Sequence, residues 1–327
     1  MGLAKFIKRK LIRCQSPASV AIAAATPQKY SNPNLPLSWD EIQSLTTDFA
    51  TVIGYGGFST VYLAQFRRSP AAVKVYCSSH RLHEAFKQEL RILLHLRHPN
   101  IVKLLAYTDD DHQAALIMEF VPNGTLHHKL HDSKTTPLTW TQRASVAFQL
   151  ASVITYLHDA CSPHVVHADI KPSNVLLDDD LNCKLCDFGS ASVGFSAAVA
   201  PGKRRSAVIM GSPGYTDPLY LRTGLVSKKN DVYSFGVVVL ELITGIEAFC
   251  PATGERLAAR AARNAAEMVD PRLRRGEVEM GEVGAMAALA AKCISETPGI
   301  RPSASEILTA MREAIPSLAF RFHKKLV

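Results

Sequence analysis

The stretch "VVHADIKPSN", residues 165–174, sets an acid, a lysine and an asparagine at short fixed offsets: Asp169, Lys171 and Asn174. "LCDFGSA" adds Asp187 directly after an apolar, strand-like run. Lys74 sits in "AAVKVY" among apolar neighbours, where a lysine either snorkels or meets an anion, and Glu89 in "FKQELRIL" is its expected mate. These groups suit phosphoryl transfer, which depends on positioning and charge neutralisation more than on covalent chemistry. In that chemistry Asp169 receives or orients the substrate hydroxyl, Asn174 and Asp187 hold magnesium, and Lys74 fixes the nucleotide phosphates. "IGYGGFSTVY" supplies Gly54, Gly56 and Gly57, which let a hairpin backbone approach polyphosphate without a side-chain clash. Ser59 stands where a third glycine is expected.

Two other clusters carry reactive side chains. Cys183 and Cys186 in "NCKLCDFG" have the spacing of a redox or zinc half-site, but the segment reads as a strand, where residues three apart face opposite ways. No second C-x-x-C completes a site, so reduced, structural cysteines are expected; seven scattered cysteines fit a reducing compartment. His127 and His131 in "LHHKLH" could share a metal on a helix face. With no carboxylate or thiol partner in view, a solvated helix is the expectation.

The chemistry needs elements to position it. Short β-branched runs such as "STVYLA" and "AAVKVY" read as strands of a small early lobe, followed by a helix through Phe86, Leu90, Leu93 and Leu94. Helical spacing then dominates, as in "TWTQRASVAFQLASVITYLHDA", to about residue 316. A chain of 327 residues, 47% hydrophobic, can bury a sizeable core in about two lobes. "FGVVVLELI" at 235–243 is too short to cross a bilayer and reads as a buried helix. Of the formal charge of +8, +6 lies in residues 1–39, which hold no acid. No nucleic-acid partner is expected. "MGLAKFIKRKLIRC" reads either as a membrane-surface helix with Cys14 as an acylation site or as a disordered basic leader; a transit peptide is a third reading. "SNPNLP" at 31–36 reads as a linker.

Taken in order, "IGYGGFSTVY", "AAVKVY", "FKQEL", "HADIKPSN", "DFG", "GSPGYTDP", "DVYSFG" and "GIRPS" resemble the motif series of the eukaryotic protein kinase family over roughly residues 48–316. "MEFVPNGTL", "LTWTQR" and "VDPRL" are similar to the plant receptor-like kinase group, related to the Pelle and interleukin-receptor-associated kinases. With no ectodomain or membrane span in view, a receptor-like cytoplasmic kinase is implied. The resemblance implies an α+β fold of two lobes, an antiparallel sheet with one main helix over about 48–120 and a larger, mostly helical lobe over about 121–316. A basic tail (1–40) and a short basic C-terminal tail (317–327) flank it. It implies a protein serine/threonine kinase using ATP and Mg2+, Lys171 resembling the Ser/Thr-specific pattern. Ile53, Gly54, Gly56, Gly57, Val61 and Lys74 would bind ATP, Met118 would be the gatekeeper, and Glu119 to Val121 the hinge. Cys186 would line the pocket floor, and Asp231 would hold the catalytic-loop backbone. Protein substrates, a transmembrane receptor kinase as partner, and a cytoplasmic place at the inner face of the plasma membrane are the corresponding expectations.

Two positions depart from the family pattern. Ala168 replaces the arginine that usually pairs with an activation-segment phosphate (a non-RD loop), so activity is expected to depend little on phosphorylation of Ser206 or Ser212. Leu219 replaces the glutamate that usually pairs with the arginine of "GIRPS", here Arg301. Either another acid has moved in or the segment is less firmly anchored; Leu219→Glu is expected to raise the melting temperature, and no shift would mean that Arg301 already has a partner. Lys203, Arg204 and Arg205 read as a solvated loop. The alternative to an active kinase is a pseudokinase scaffold that binds nucleotide.

Overall fold

Apolar residues alternate along "STVYLAQF" and "SPAAVKVY", and these segments form the centre of a six-stranded sheet. The computed structural model describes residues 35–57, 59–77, 80–110, 113–194, 211–261, 264–273 and 278–315. Strands β1 (Leu35–Pro36), β2 (Val52–Tyr55), β3 (Ser59–Phe66), β4 (Ser69–Tyr76), β5 (Leu104–Asp110) and β6 (Gln113–Glu119) lie in the order β1-β5-β6-β4-β3-β2. All neighbours pair antiparallel except β1, which runs parallel to β5. Helix α2 (His80–His95) packs on the sheet through Phe86, Leu90 and Leu93.

The folded lobe starts earlier than the sequence pattern implied. Helix α1 (Trp39–Leu45) begins at a capping box in which Ser38 and Glu41 satisfy each other's backbone N–H groups. It buries Ile42 with Leu37 against Ala64, Phe66, Val73, Ala106 and Ile117, a second core above the sheet. The end of the range assigned to the tail and linker therefore contributes a strand, the buried Leu37 and the start of a helix that runs on to Leu45. The tail residues before Leu35, the basic run Lys203 to Arg205 with Ser206, and the C-terminal tail lie outside the described residues.

The second lobe is mostly helical, and its two central helices are buried on nearly every side, whereas its last two bury only one stripe. Helix α3 (Leu126–His131) leads to α4 (Trp140–Thr155), capped by a Thr139–Gln142 box and buried along most of its length. The short strands β7 (Val165–Val166), β8 (Val175–Leu177), β9 (Cys183–Leu185) and β10 (Ser192–Val193) form two small ladders, β7 with β10 and β8 with β9. Helices α5 (Pro218–Thr223), α6 (Lys228–Thr244), α7 (Leu257–Ala261), α8 (Met280–Cys293) and α9 (Ala304–Ala314) complete it. The run read as a core helix lies in α6, buried continuously from Asn230 to Thr244. Among the described residues no helix is long and apolar enough to cross a membrane.

Candidate active site

Lys74 and Tyr76 are two residues apart in β4, so both side chains leave the same face of the sheet, toward α2. The Lys74 ammonium donates to both Glu89 carboxylate oxygens, at 3.0 and 2.8 Å, and to Asp187 Oδ1 at 2.7 Å. Burial alone would lower the Lys74 pKa; Glu89 and Asp187 outweigh it and hold it well above its ordinary value. Burial likewise raises the Asp187 carboxyl, but Lys74 beside it wins and leaves its pKa lowered.

The β8–β9 hairpin explains how Asn174 and Asp187 become neighbours. Val175 pairs with Leu185, so the residues just outside the ladder share one end of it, and the Cys186 N–H donates to the Asn174 carbonyl at 2.9 Å. Asn174 in turn donates its amide N–H to Asp169 Oδ2 at 3.1 Å and to the Asp169 carbonyl at 2.9 Å. Two bonded clusters thus lie side by side, Lys74 with Glu89 and Asp187, and Asn174 with Asp169, joined where the Cys186 N–H meets the Asn174 carbonyl. Lys171 donates to Asp169 Oδ2 at 2.6 Å and to Ser212 Oγ at 2.8 Å, while Ser212 donates to Asp169 Oδ1 at 2.7 Å. Ser212 is therefore part of the cluster. The side chains of Asp187 and Asp169 are 40% and 16% exposed, so a ligand in solvent can reach both.

Asp231 stands at the start of α6, fully buried, and accepts from the His167 N–H at 2.9 Å and the Ala168 N–H at 2.8 Å. His158 donates to the same carboxylate at 2.8 Å. These bonds hold Ala168 in the left-handed region, at φ 63°, and set the direction in which Asp169 leaves the chain. Asp187, at φ 65°, is also left-handed, and Phe188 after it is buried edge-on against His167.

The glycine hairpin joins β2 to β3, with Gly54 opposite Val61; Ile53 and Val61 are half-buried. Ser59, in place of the expected glycine, is buried and closes the turn: its carbonyl accepts from the Gly56 N–H at 2.8 Å. A Cβ at Gly56 would lie 2.5 Å from Ser59 Oγ, so that position requires glycine. Met118 and Val121 are buried at the junction of the lobes. The Glu119 side chain turns away to accept from the Lys103 N–H and the Lys184 ammonium, both at 2.9 Å.

Three findings answer questions that the sequence left open. Arg301 has a partner: its guanidinium grips Asp217 with two bonds of 2.6 and 3.0 Å, and both side chains are buried. Asp217 also caps α5 by accepting from the Leu219 N–H at 2.8 Å, so the acid that moved in lies two residues before Leu219. An aspartate directly before Pro218 at a helix start is a capping signal that could have identified it. His131 is not solvated; its side chain is 9% exposed and its Nε2 lies 3.7 Å from the buried Glu241, a carboxylate distant in sequence. Cys186 donates its thiol to the Asn174 carbonyl, and burial pushes its pKa up to about 12 and that of Cys183 higher still. Tyr76, whose hydroxyl donates to Glu89 at 2.5 Å, carried no signal in the motif.

Known proteins share this arrangement of sequence. The family model described as "Protein kinase domain" matches residues 48–311. A probable receptor-like protein kinase of Arabidopsis thaliana is 48% identical over 304 residues, covering 86% of this chain and 89% of its own. The salt tolerance receptor-like cytoplasmic kinase 1 of Oryza sativa subsp. japonica is 51% identical over 296 residues, 86% of this chain and 81% of its own. A probable LRR receptor-like serine/threonine-protein kinase of Arabidopsis thaliana is 37% identical over 302 residues, and this chain spans 34% of its length. The chain belongs to the protein kinase domain family, among relatives that are plant receptor-like and receptor-like cytoplasmic kinases.

Proposed function

We propose that this chain is an active, non-RD protein serine/threonine kinase that uses ATP and Mg2+. The observation that carries the reading is the convergence of two bonded clusters, Lys74 with Glu89 and Asp187, and Asp169 with Asn174, Lys171 and Ser212, joined where the Cys186 N–H meets the Asn174 carbonyl. A substrate hydroxyl placed where Ser212 Oγ sits gives its proton toward Asp169 as its oxygen attacks the γ-phosphorus, and ADP leaves. Lys171, already on Asp169, offsets charge on the transferring group. Lys74, held by Glu89, grips the phosphates beneath the Gly54–Gly57 hairpin, and the backbone of Glu119 to Val121 reads the adenine.

The donor set suits Mg2+: Asp187 offers a half-exposed carboxylate, and Asn174, having spent its N–H on Asp169, keeps a carbonyl oxygen. The ion supplies charge neutralisation at the phosphates when bound. The scaffold alternative drew on Ala168 and Leu219. Asp217 supplies the partner that Leu219 cannot, which leaves Ala168 as its only support. By analogy with its receptor-like relatives, the chain works on protein substrates close to a receptor kinase; the charge of the basic tail supports a place at the inner membrane face.

Transfer of radiolabelled phosphate to a generic basic protein tests the reading. Wild type labels the protein on serine and threonine, and Asp187→Asn reduces labelling to background. A wild type that binds nucleotide but labels nothing returns the chain to the scaffold class.

A further inference from the structure

Glu89 is 1% exposed, and a carboxylate so buried needs every donor it can find. Oε1 accepts from Lys74 at 3.0 Å and from the Phe188 N–H at 3.2 Å, and Oε2 accepts from Lys74 at 2.8 Å and from the Tyr76 hydroxyl. Lys74 is shared with Asp187, so it is a divided partner. Tyr76 adds a donor from the strand side: its hydroxyl donates to Glu89 with the Lys74 ammonium also at hand, and its ring packs edge-on against Phe86, one helical turn before Glu89, at 5.2 Å between centroids. The Lys74 ammonium lies 5.2 Å from the same ring, a cation–π contact. Burial, then Glu89, raises the Tyr76 pKa well above its ordinary value, so the hydroxyl keeps its proton and remains a donor.

We propose that Tyr76 is a positioning residue that clamps the Glu89 carboxylate from the strand side, so that both oxygens face Lys74 and α2 keeps its phosphate-gripping register whatever residue occupies position 168. Strand β4 then supplies both the lysine and the clamp that aims the lysine's partner. The proposal rests on the nucleotide site assigned above but not on turnover.

The test is Tyr76→Phe, which keeps the ring and removes the hydroxyl. A hydrogen bond to a charged group in a buried site corresponds to a loss of about 10- to 150-fold. Calorimetry with magnesium and the non-hydrolysable analogue AMP-PNP is expected to show that loss, and steady-state kinetics the same rise in KM for ATP with KM for a peptide unchanged. In a Glu89→Ala background the effect of Tyr76→Phe is expected to shrink to about twofold or less, because the acceptor is gone. Phe86→Leu, which removes the ring neighbour but spares the hydroxyl, separates packing from positioning: it is expected to lower the melting temperature without the change in nucleotide affinity.

Wild-type nucleotide affinity in Tyr76→Phe, an undiminished effect without Glu89, or the same affinity loss in Phe86→Leu would each overturn the assignment. If wild type binds AMP-PNP but transfers no phosphate, the kinase reading fails while the binding measurements still decide the role of Tyr76.

Discussion

Asp217→Asn is expected to unfasten the activation segment's C-terminal anchor, and its effect can be worked from the contacts. Arg301 is buried over the ring of Tyr233, with its Nε on the Ser295 carbonyl and its fork on Asp217. Asn at 217 keeps a cap for the Leu219 N–H but removes the countercharge, and breaking a buried pair from one side costs about 3–5 kcal/mol. Asp217→Ala loses the cap as well, about 1 kcal/mol more. At roughly 2–4 °C per kcal/mol for a domain of this size, Asp217→Asn is expected to melt ~6–20 °C below wild type, with Ala lower again. Leu219→Glu, by contrast, is expected to leave the melting temperature within about 2 °C, because the guanidinium fork is already filled. In the Asp217→Asn background the same Leu219→Glu change offers Arg301 a carboxylate and recovers part of the loss. Thermal unfolding followed by circular dichroism reads all four variants beside wild type. A rise with Leu219→Glu alone, or an Asp217→Asn protein that melts with wild type, would refute the pairing as the anchor.

The other expectations concern the site and the substrate platform. Asp187 has its pKa lowered in the fold, so the unfolded chain binds more protons in acid; the stability that Asp187 contributes is present above about pH 4 and is lost as pH falls through its folded value. A plot of melting temperature against pH should therefore fall less steeply below about pH 4 for Asp187→Asn than for wild type, and parallel curves would count against the Lys74 pairing. Gly214 lies in "GSPGY", which resembles the platform on which the family's protein substrates lie; at φ 88° its would-be Cβ meets the Ala248 carbonyl at 2.7 Å, so Gly214→Ala is expected to raise KM for a peptide while leaving nucleotide affinity alone. Asp231→Ala strips two backbone N–H groups and His158 of their acceptor; a loss of about 3–5 kcal/mol in unfolding free energy, read from denaturant titration, is expected.

Much of this was legible before the fold, and the pattern of what was not is informative. Lys74, Glu89, Asp169, Asn174 and Asp187 are polar residues at fixed offsets beside apolar strands, a conflict with local preference that marks a site in sequence. Tyr76 and Glu241 gave no such signal. A tyrosine in a strand is ordinary, and a glutamate in an apolar helix reads as a surface position until the fold shows Tyr215 and the Ala248 N–H bonded to it. Asp217 gave only the signal of a helix cap before Pro218, which does not by itself point to a guanidinium 84 residues away. Helix α1 was missed because its apolar residues are few and its burial depends on a sheet that follows it in the chain.

The departure at Ala168 bears on shape less than it first suggests. A non-glycine residue in the left-handed region costs about 1–2 kcal/mol, and persists only when its surroundings over-determine it. Here three donors converge on Asp231, itself fixed within the most buried helix of the larger lobe. The catalytic loop needs that backbone conformation at 168, and alanine supplies it as an arginine would, since every bond that fixes it is made by the main chain or by His158. On the other side of the site, α2 is held through Glu89 by Tyr76 and the Phe188 N–H, and through Gln88 by the Ala191 carbonyl. None of these contacts uses a side chain at 168. What an arginine there would add is a link from the loop to a charge on the activation segment, so its loss removes a means of control while the geometry that aligns Lys74, Asp187 and Asp169 is held by other bonds.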